Sequence, residues 1–212
     1  MAQTTKRKKS GHPAKKNHSA PNKLIKPTPA MWIAGARIRT LPLAVSPVAL
    51  GAAAASLLTE VNYLLAGLCL AVALFLQIGA NYANDYSDGI RGTDTFRVGP
   101  PRLTGSGVAN PKRVLVVAMV FFALASAVGV AITIITGHYW LLLVGAAAIA
   151  AAYFYTGGKR PYGYYALGEL AVFLFFGVVA TMGTTYILSG DFNFESVGAS
   201  VAAGAIACAV LM

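Results

Sequence analysis

Between residues 81 and 94 the chain reads NYANDYSDGIRGTD, directly after the apolar run LLAGLCLAVALFLQIGA. On a helix Asn81, Asn84, Asp85 and Asp88 stand at i, i+3, i+4 and i+7, which is one stripe along one face. The glycines of the following GIRG can end that helix and return Asp94 towards the stripe. Carboxylates brought this close repel one another unless a cation or several donors lie among them. Oxygen ligands without Cys or His suit Mg²⁺ or Ca²⁺. Helical spacing does not match the loop ligands of a Ca²⁺-binding EF-hand, whereas Mg²⁺ is commonly held by one or two carboxylates together with substrate phosphates. The stripe therefore reads as a site for a cation of this kind, held by its Asn and Asp side chains together with substrate phosphates. The plainer alternative is a polar helix end at a membrane surface, its acids paired with Arg91, Arg97 or Arg102. Four Asn/Asp on one stripe of a span favour an ion or substrate path.

Groups for phosphate follow in the sequence. FRVGPPRLTGSG carries Arg97 and Arg102 in a Gly/Pro-rich loop, where guanidinium forks and backbone N–H groups can engage phosphate oxygens. YFYTGGKRPYGYY adds Lys159 and Arg160. Lys112 and Arg113, at the start of a span, read as topology signals alone. The chemistry these residues suit is an amphiphile with an apolar tail and a diphosphate head. Diphosphate is also a leaving group, and a metal that neutralises its departing charge lowers the barrier to ionisation.

These side chains have to be positioned by an all-α, polytopic transmembrane bundle. Of 212 residues, 57% are apolar and only 11% charged, and the mean hydropathy is +0.63. That is far from the mixed surface of a soluble domain. A hydrocarbon core of roughly 30 Å takes about 20 mostly apolar residues of helix. Six runs are long and apolar enough to be read as spans, near 40–58, 64–88, 113–136, 139–156, 164–188 and 196–212. Continuous runs rich in Ala, Leu and Gly favour helices over a barrel, which would alternate with period two.

The formal charge of +10 is uneven: residues 1–40 hold ten Lys/Arg and no acid, leaving seven basic and seven acidic residues beyond. Residues 1–30 lack the apolar core of a secretory signal peptide and read as a disordered basic tail. Next to a membrane domain such a tail meets anionic headgroups in preference to nucleic acid, or serves only as a topology signal. The transmembrane domain then covers residues 31–212. Basic residues fall between spans two and three and between four and five, whereas 59–63, 137–138 and 189–195 contain no Lys or Arg. The positive-inside rule puts the N-terminus and both basic loops on the cytoplasmic side of the plasma membrane. Cys69 and Cys208 lie in apolar runs and behave as small hydrophobes. His12 and His18 in the tail and His138 in a short turn read as solvated, and no zinc or disulfide spacing occurs.

The chain resembles the UbiA superfamily of intramembrane prenyltransferases. That family's first motif, N-x-x-x-D-x-x-x-D, is matched by Asn84 and Asp88, with Asp85 completing the usual N-D pair; the third position falls on Gly92, and Asp94 comes two residues later. The family's Y-x-x-x-K element is matched by Tyr155 and Lys159. GARIRTLPLAVSPVALG, QIGANYANDYSDGIRGTD and YTGGKRPYGYYALGELAVFLFFG are similar to the naphthoate branch of the family in its actinobacterial form, over residues 32 to the end. The resemblance implies Mg²⁺-dependent transfer of a polyprenyl chain from polyprenyl diphosphate to 1,4-dihydroxy-2-naphthoate, with loss of CO₂ and diphosphate, leading to demethylmenaquinone. It implies that Asn84, Asp85 and Asp88 bind diphosphate through Mg²⁺ and that Arg97, Arg102 and Lys159 bind its oxygens. Tyr155 then lines the reacting centre, where an aromatic face can shelter an allylic cation. Arg37 holds either the diphosphate or the acceptor's carboxylate; as an alternative it is a snorkelling interfacial anchor.

By this analogy the full bundle has about nine spans and a second Asp-rich motif after the sixth. The sequence ends at ACAVLM, where that motif would begin, and is expected to be an incomplete copy lacking half the ligands. Two other classes compete. The CDP-alcohol phosphatidyltransferases begin their signature D-x-x-D-G, matched by Asp85, Asp88 and Gly89, but IRGTDTFRVGPP lacks its continuation. A cation-coupled transporter would bury its acids near the midplane in broken helices, whereas these sit at a span's end beside basic loops.

Overall fold

The computed structural model describes residues 27–93, 102–165 and 167–211. Its first helix, α1 (Pro29–Gly35), begins where Thr28 precedes a proline: the threonine hydroxyl accepts from Met31 N–H, and Pro29 gives up no needed donor at the first turn. Sequence hydropathy missed this element, because seven residues are too few to register as a span, and assigned its start to the tail. A 3₁₀ turn (Ile38–Thr40) joins it to α2 (Pro42–Ala55), with a bend of 46° between the two stretches. At the break Arg37 takes a left-handed backbone, φ 52°.

The polar stripe lies on α3 (Tyr63–Arg91), capped at its start by Asn62, whose side chain accepts from Leu64 and Leu65 N–H at 3.1 and 3.2 Å. Gly92, at φ 74°, ends it in the left-handed conformation that a glycine adopts without strain. Asn110 caps α4 (Pro111–Thr136), which is followed by α5 (Leu141–Phe154). After a turn at Tyr162–Tyr164 come α6 (Leu167–Val172), a π-helical stretch (Phe173–Val179) and α7 (Ala180–Ser189). Finally α8 (Phe194–Leu211) starts at Asn193, whose side chain accepts from Ser196 N–H and donates to Ala54 O, tying it to the end of α2.

All six apolar runs are thus helical. Among the described residues three helices are long and apolar enough to cross a membrane: α3, α4 and the run from α6 through α7. The stretch from α1 through α2 passes as a bent pair. α5 and α8 are shorter apolar helices; fourteen residues of α5 rise about 21 Å, less than a hydrocarbon core. Side chains such as Leu143 and Ile134 are 76% and 68% exposed, which suits lipid and not water.

α3 packs along α4, and α2 packs against α7 and α8. Small residues permit the closest crossings. A Cβ at Gly177 would lie 2.6 Å from Gly204 Cα, and one at Gly51 would lie 2.3 Å from Thr181 O. A core of Tyr82, Ala83, Leu103, Ala109, Val114, Ala118 and Phe122 backs the polar end of α3. The chain reverses with each long helix, so the α1–α2 break, the segment before α4 and the turn after α5 gather at that one end.

Candidate functional site

Each polar side chain on the last turns of α3 collects a different segment. Asn81, buried, donates through Nδ2 to Ala36 O at 2.8 Å and to Thr40 Oγ1 at 3.2 Å; Gln77, one turn earlier, donates to the same hydroxyl at 3.1 Å. Thr40 Oγ1 in turn donates to Arg37 O at 2.9 Å. These bonds fix the carbonyls freed by the α1–α2 break, and hold Arg37 in its left-handed conformation at the end of the bundle that carries the acids. A non-glycine residue in that region persists only where its surroundings determine it.

Asp85, 2% exposed, takes the segment before α4. Leu103 N–H donates to its Oδ2 at 2.9 Å and Thr104 N–H to its Oδ1 at 2.8 Å. Asp88 faces both basic and aromatic partners: Arg102 donates through Nη1 to its Oδ2, and the Tyr164 hydroxyl donates to its Oδ1. Asn84 accepts at Oδ1 from the Thr156 hydroxyl at 2.7 Å. Arg91 reaches past the end of α3 and donates to the carbonyls of Thr156 and Gly158, with its guanidinium 5.8 Å from the centre of the Tyr164 ring.

The turn after α5 is closed on itself by Gly163 N–H donating to Tyr155 O at 2.9 Å, with the Tyr155 and Tyr162 rings edge to face at 5.6 Å. A Cβ at Gly163 would lie 2.5 Å from that same carbonyl, so the turn needs glycine there. Lys159 and Arg160 are exposed on this turn. Burial raises the Tyr164 phenol above its ordinary 10.0, and its hydrogen bond to Asp88 raises it further, so the hydroxyl keeps its proton at any physiological pH.

The expected residues Arg37, Asn81, Asn84, Asp85, Asp88, Arg102, Tyr155 and Lys159 therefore gather at one end of the bundle. Asp94 and Arg97 lie outside the described residues. The stripe is one face, as its spacing requires, yet its members are not one ligand cluster: Asn84 turns to Thr156, Asp85 to backbone N–H groups and Asp88 to Arg102 and Tyr164. Among the described residues no three His, Cys, Asp or Glu side chains converge on a point. The donor set does not make an all-protein metal cage. It does fit a magnesium ion shared with phosphate oxygens, since Asn84 and Asp88 are one helical turn apart and offer only oxygen.

Two participants had no signal in the sequence as read, and a third was given a different partner. Thr156 and Tyr164 lie distant in the chain from the helix they bind. Arg91 stood as a possible partner of the acids, but it binds carbonyls instead.

A profile of the UbiA prenyltransferase family matches residues 44–212. A protein of Mycobacterium tuberculosis described as 1,4-dihydroxy-2-naphthoate octaprenyltransferase is 51% identical over 183 residues, 86% of this chain and 62% of that protein. The Escherichia coli protein of the same description is 37% identical over 186 residues, 85% of this chain and 60% of that one. The chain thus spans about 62% of the length of the mycobacterial relative. No solved structure matches it significantly.

Proposed function

The chain belongs to the UbiA prenyltransferase family and is a polytopic membrane protein, and from that premise we propose that it transfers a polyprenyl chain from polyprenyl diphosphate to 1,4-dihydroxy-2-naphthoate in menaquinone synthesis. The allylic C–O bond breaks and its electron pair leaves with diphosphate. The acceptor carbon that bears the carboxylate forms the new C–C bond, and CO₂ departs, leaving its bonding pair to the ring. The product is demethylmenaquinol, the reduced form of demethylmenaquinone.

The observation that carries this reading is Asp88 standing between Arg102 and Tyr164 at the end of an otherwise apolar bundle. Anion-binding and metal-binding groups are concentrated there, where a lipid's headgroup would lie and its tail could enter between helices. Asn84 and Asp88 would hold Mg²⁺ together with the diphosphate, and the ion would supply neutralisation of the leaving group's charge. Arg102 and Lys159 bind phosphate oxygens, Arg102 through its fork and Lys159 as a point charge. Arg97 and Asp94 are proposed to join them. Arg37 serves an anionic group of either substrate, and Tyr155 shelters the cationic prenyl carbon. The basic segments face the cytoplasm, following the positive-inside rule.

The relatives' description supports the acceptor, and the test is direct. Membranes carrying the longest natural chain that contains these 212 residues are given polyprenyl diphosphate and dihydroxynaphthoate labelled in its carboxyl group. Labelled CO₂ released in step with a prenylated naphthoquinone is the expected result. Prenylation of a different aromatic acid, or no CO₂ release, overturns the acceptor assignment.

A further inference from the structure

Asp85 lies on the stripe with Asn84 and Asp88, yet its carboxylate is committed differently. Two successive backbone donors, Leu103 N–H and Thr104 N–H, take one oxygen each, at 2.9 and 2.8 Å, in a site where the aspartate is 2% exposed. Because the two N–H groups take different oxygens, the site uses both acceptors of a carboxylate, whereas an amide would present its NH₂ to one of the two donors. The segment so held begins with Arg102, the residue that reaches Asp88.

The rest of the segment is fixed from other directions. Leu103, 3% exposed, is packed in the core beside Tyr82. Ala109 N–H returns to Leu103 O at 2.9 Å, Ser106 N–H to Arg102 O at 3.1 Å and Gly107 N–H to Thr104 O at 3.0 Å. Thr104 lies so close to α3 that a Cβ at Gly89 would be 2.3 Å from its Cγ2. The turn is therefore seated on the same turns of α3 that carry Asp85 and Asp88.

We infer that Asp85 is a positioning residue for diphosphate binding: it anchors the Arg102–Thr104 backbone and acts through Arg102, and is not itself a ligand of the metal or the diphosphate. This rests on the reading of the site as a diphosphate site and deepens it. A guanidinium binds two phosphate oxygens only from a fixed direction, and a backbone already held there leaves less ordering to be done on binding.

The test is a double-mutant cycle read by binding of inorganic pyrophosphate with Mg²⁺ to the longest natural chain in detergent. Asp85→Asn, which offers one acceptor where two are needed, weakens binding by about 10- to 100-fold, the scale of an ångström-sized displacement. Arg102→Ala weakens it at least as much, and the double variant binds no worse than Arg102→Ala alone, because a positioning residue has nothing left to position. Asp85→Asn combined with Lys159→Ala, in contrast, loses the product of the single effects, a distinction that general loss of structure would erase. Hydrogen exchange in the same samples shows faster exchange at residues 103 and 104 with α4 and α8 still protected.

If Asp85→Asn does not fold, Gly89→Ala lifts the turn while leaving Asp85 intact and gives the same non-additivity with Arg102. Losses that multiply in the Asp85/Arg102 cycle, or unchanged binding by Asp85→Asn, overturn the inference. A parent protein that fails to bind pyrophosphate overturns it together with the diphosphate reading. A parent that binds pyrophosphate and obeys the cycle but forms no prenylated product overturns prenyl transfer alone.

Discussion

Arg102 and Asp88 are paired with each other, the guanidinium Nη1 donating to the carboxylate Oδ2, with side chains only 11% and 13% exposed. The proposed function assigns this base to phosphate and this acid to the metal, so the bound headgroup must take both from their present partnership. The pair keeps two charges neutral in a partly desolvated place, where an unpaired one would be costly.

Replacing Arg102 by lysine keeps the charge but loses the planar fork. Arg102→Lys is expected to raise KM for polyprenyl diphosphate by about tenfold or more, the worth of a charge-assisted bond, with a smaller change in kcat. Initial rates against diphosphate concentration check this; an unchanged KM removes Arg102 from the binding site.

The Thr156 hydroxyl donates across the bundle to Asn84 Oδ1 at 2.7 Å. Thr156→Val keeps the shape and removes the donor, a loss of about 1 kcal/mol. The thermal midpoint in detergent should fall by about 2–4 °C for a chain of this size. No fall would mean that Asn84 finds another donor at once.

Arg91 pins the turn that bears Lys159 through two carbonyls. In Arg91→Ala that turn opens more often, and trypsin should cut after Lys159 about tenfold faster or more; the Arg160–Pro161 bond resists the protease. Timed digestion with mass analysis of the fragments measures it, and equal cutting rates contradict the tether.

Tyr164 gives a pH dependence with a defined sign. Its phenol titrates above the ordinary 10.0 in the folded chain, from burial and then from Asp88. A group whose folded pKa is raised contributes stability that is fully present below the unfolded value and lost as pH rises through the folded one. The stability difference between the parent and Tyr164→Phe should therefore be constant from about pH 7 to 9 and shrink only above about 10. Thermal midpoints of both proteins across that range check it; a difference that shrinks near neutrality contradicts the assignment.

The helices were legible because lipid imposes length: LLAGLCLAVALFLQIGA and its counterparts each needed to be apolar, and each is helical. The stripe was legible because Asn81, Asn84, Asp85 and Asp88 repeat with the helix. Their partners were not. Asp85 binds backbone N–H groups, which every residue except proline has, so nothing in the sequence marks Leu103 and Thr104 as its partners. Likewise Thr156 and Tyr164 meet α3 only through the packing of α5 and the turn after it. The break at Arg37 was hidden for a different reason: a left-handed residue is expected at glycine, and here tertiary hydrogen bonds from Asn81 and Gln77 stabilise the segment around an arginine.

Asp88 bears on the whole account most directly. In membranes carrying the longest natural chain that contains these residues, the parent and Asp88→Asn are supplied with labelled polyprenyl diphosphate, dihydroxynaphthoate and Mg²⁺, and prenylated naphthoquinone is quantified. The account predicts product from the parent and a fall of about 10²-fold or more in the variant, the scale of a lost electrostatic partner in a water-poor site. Product formed by Asp88→Asn at the parental rate contradicts it.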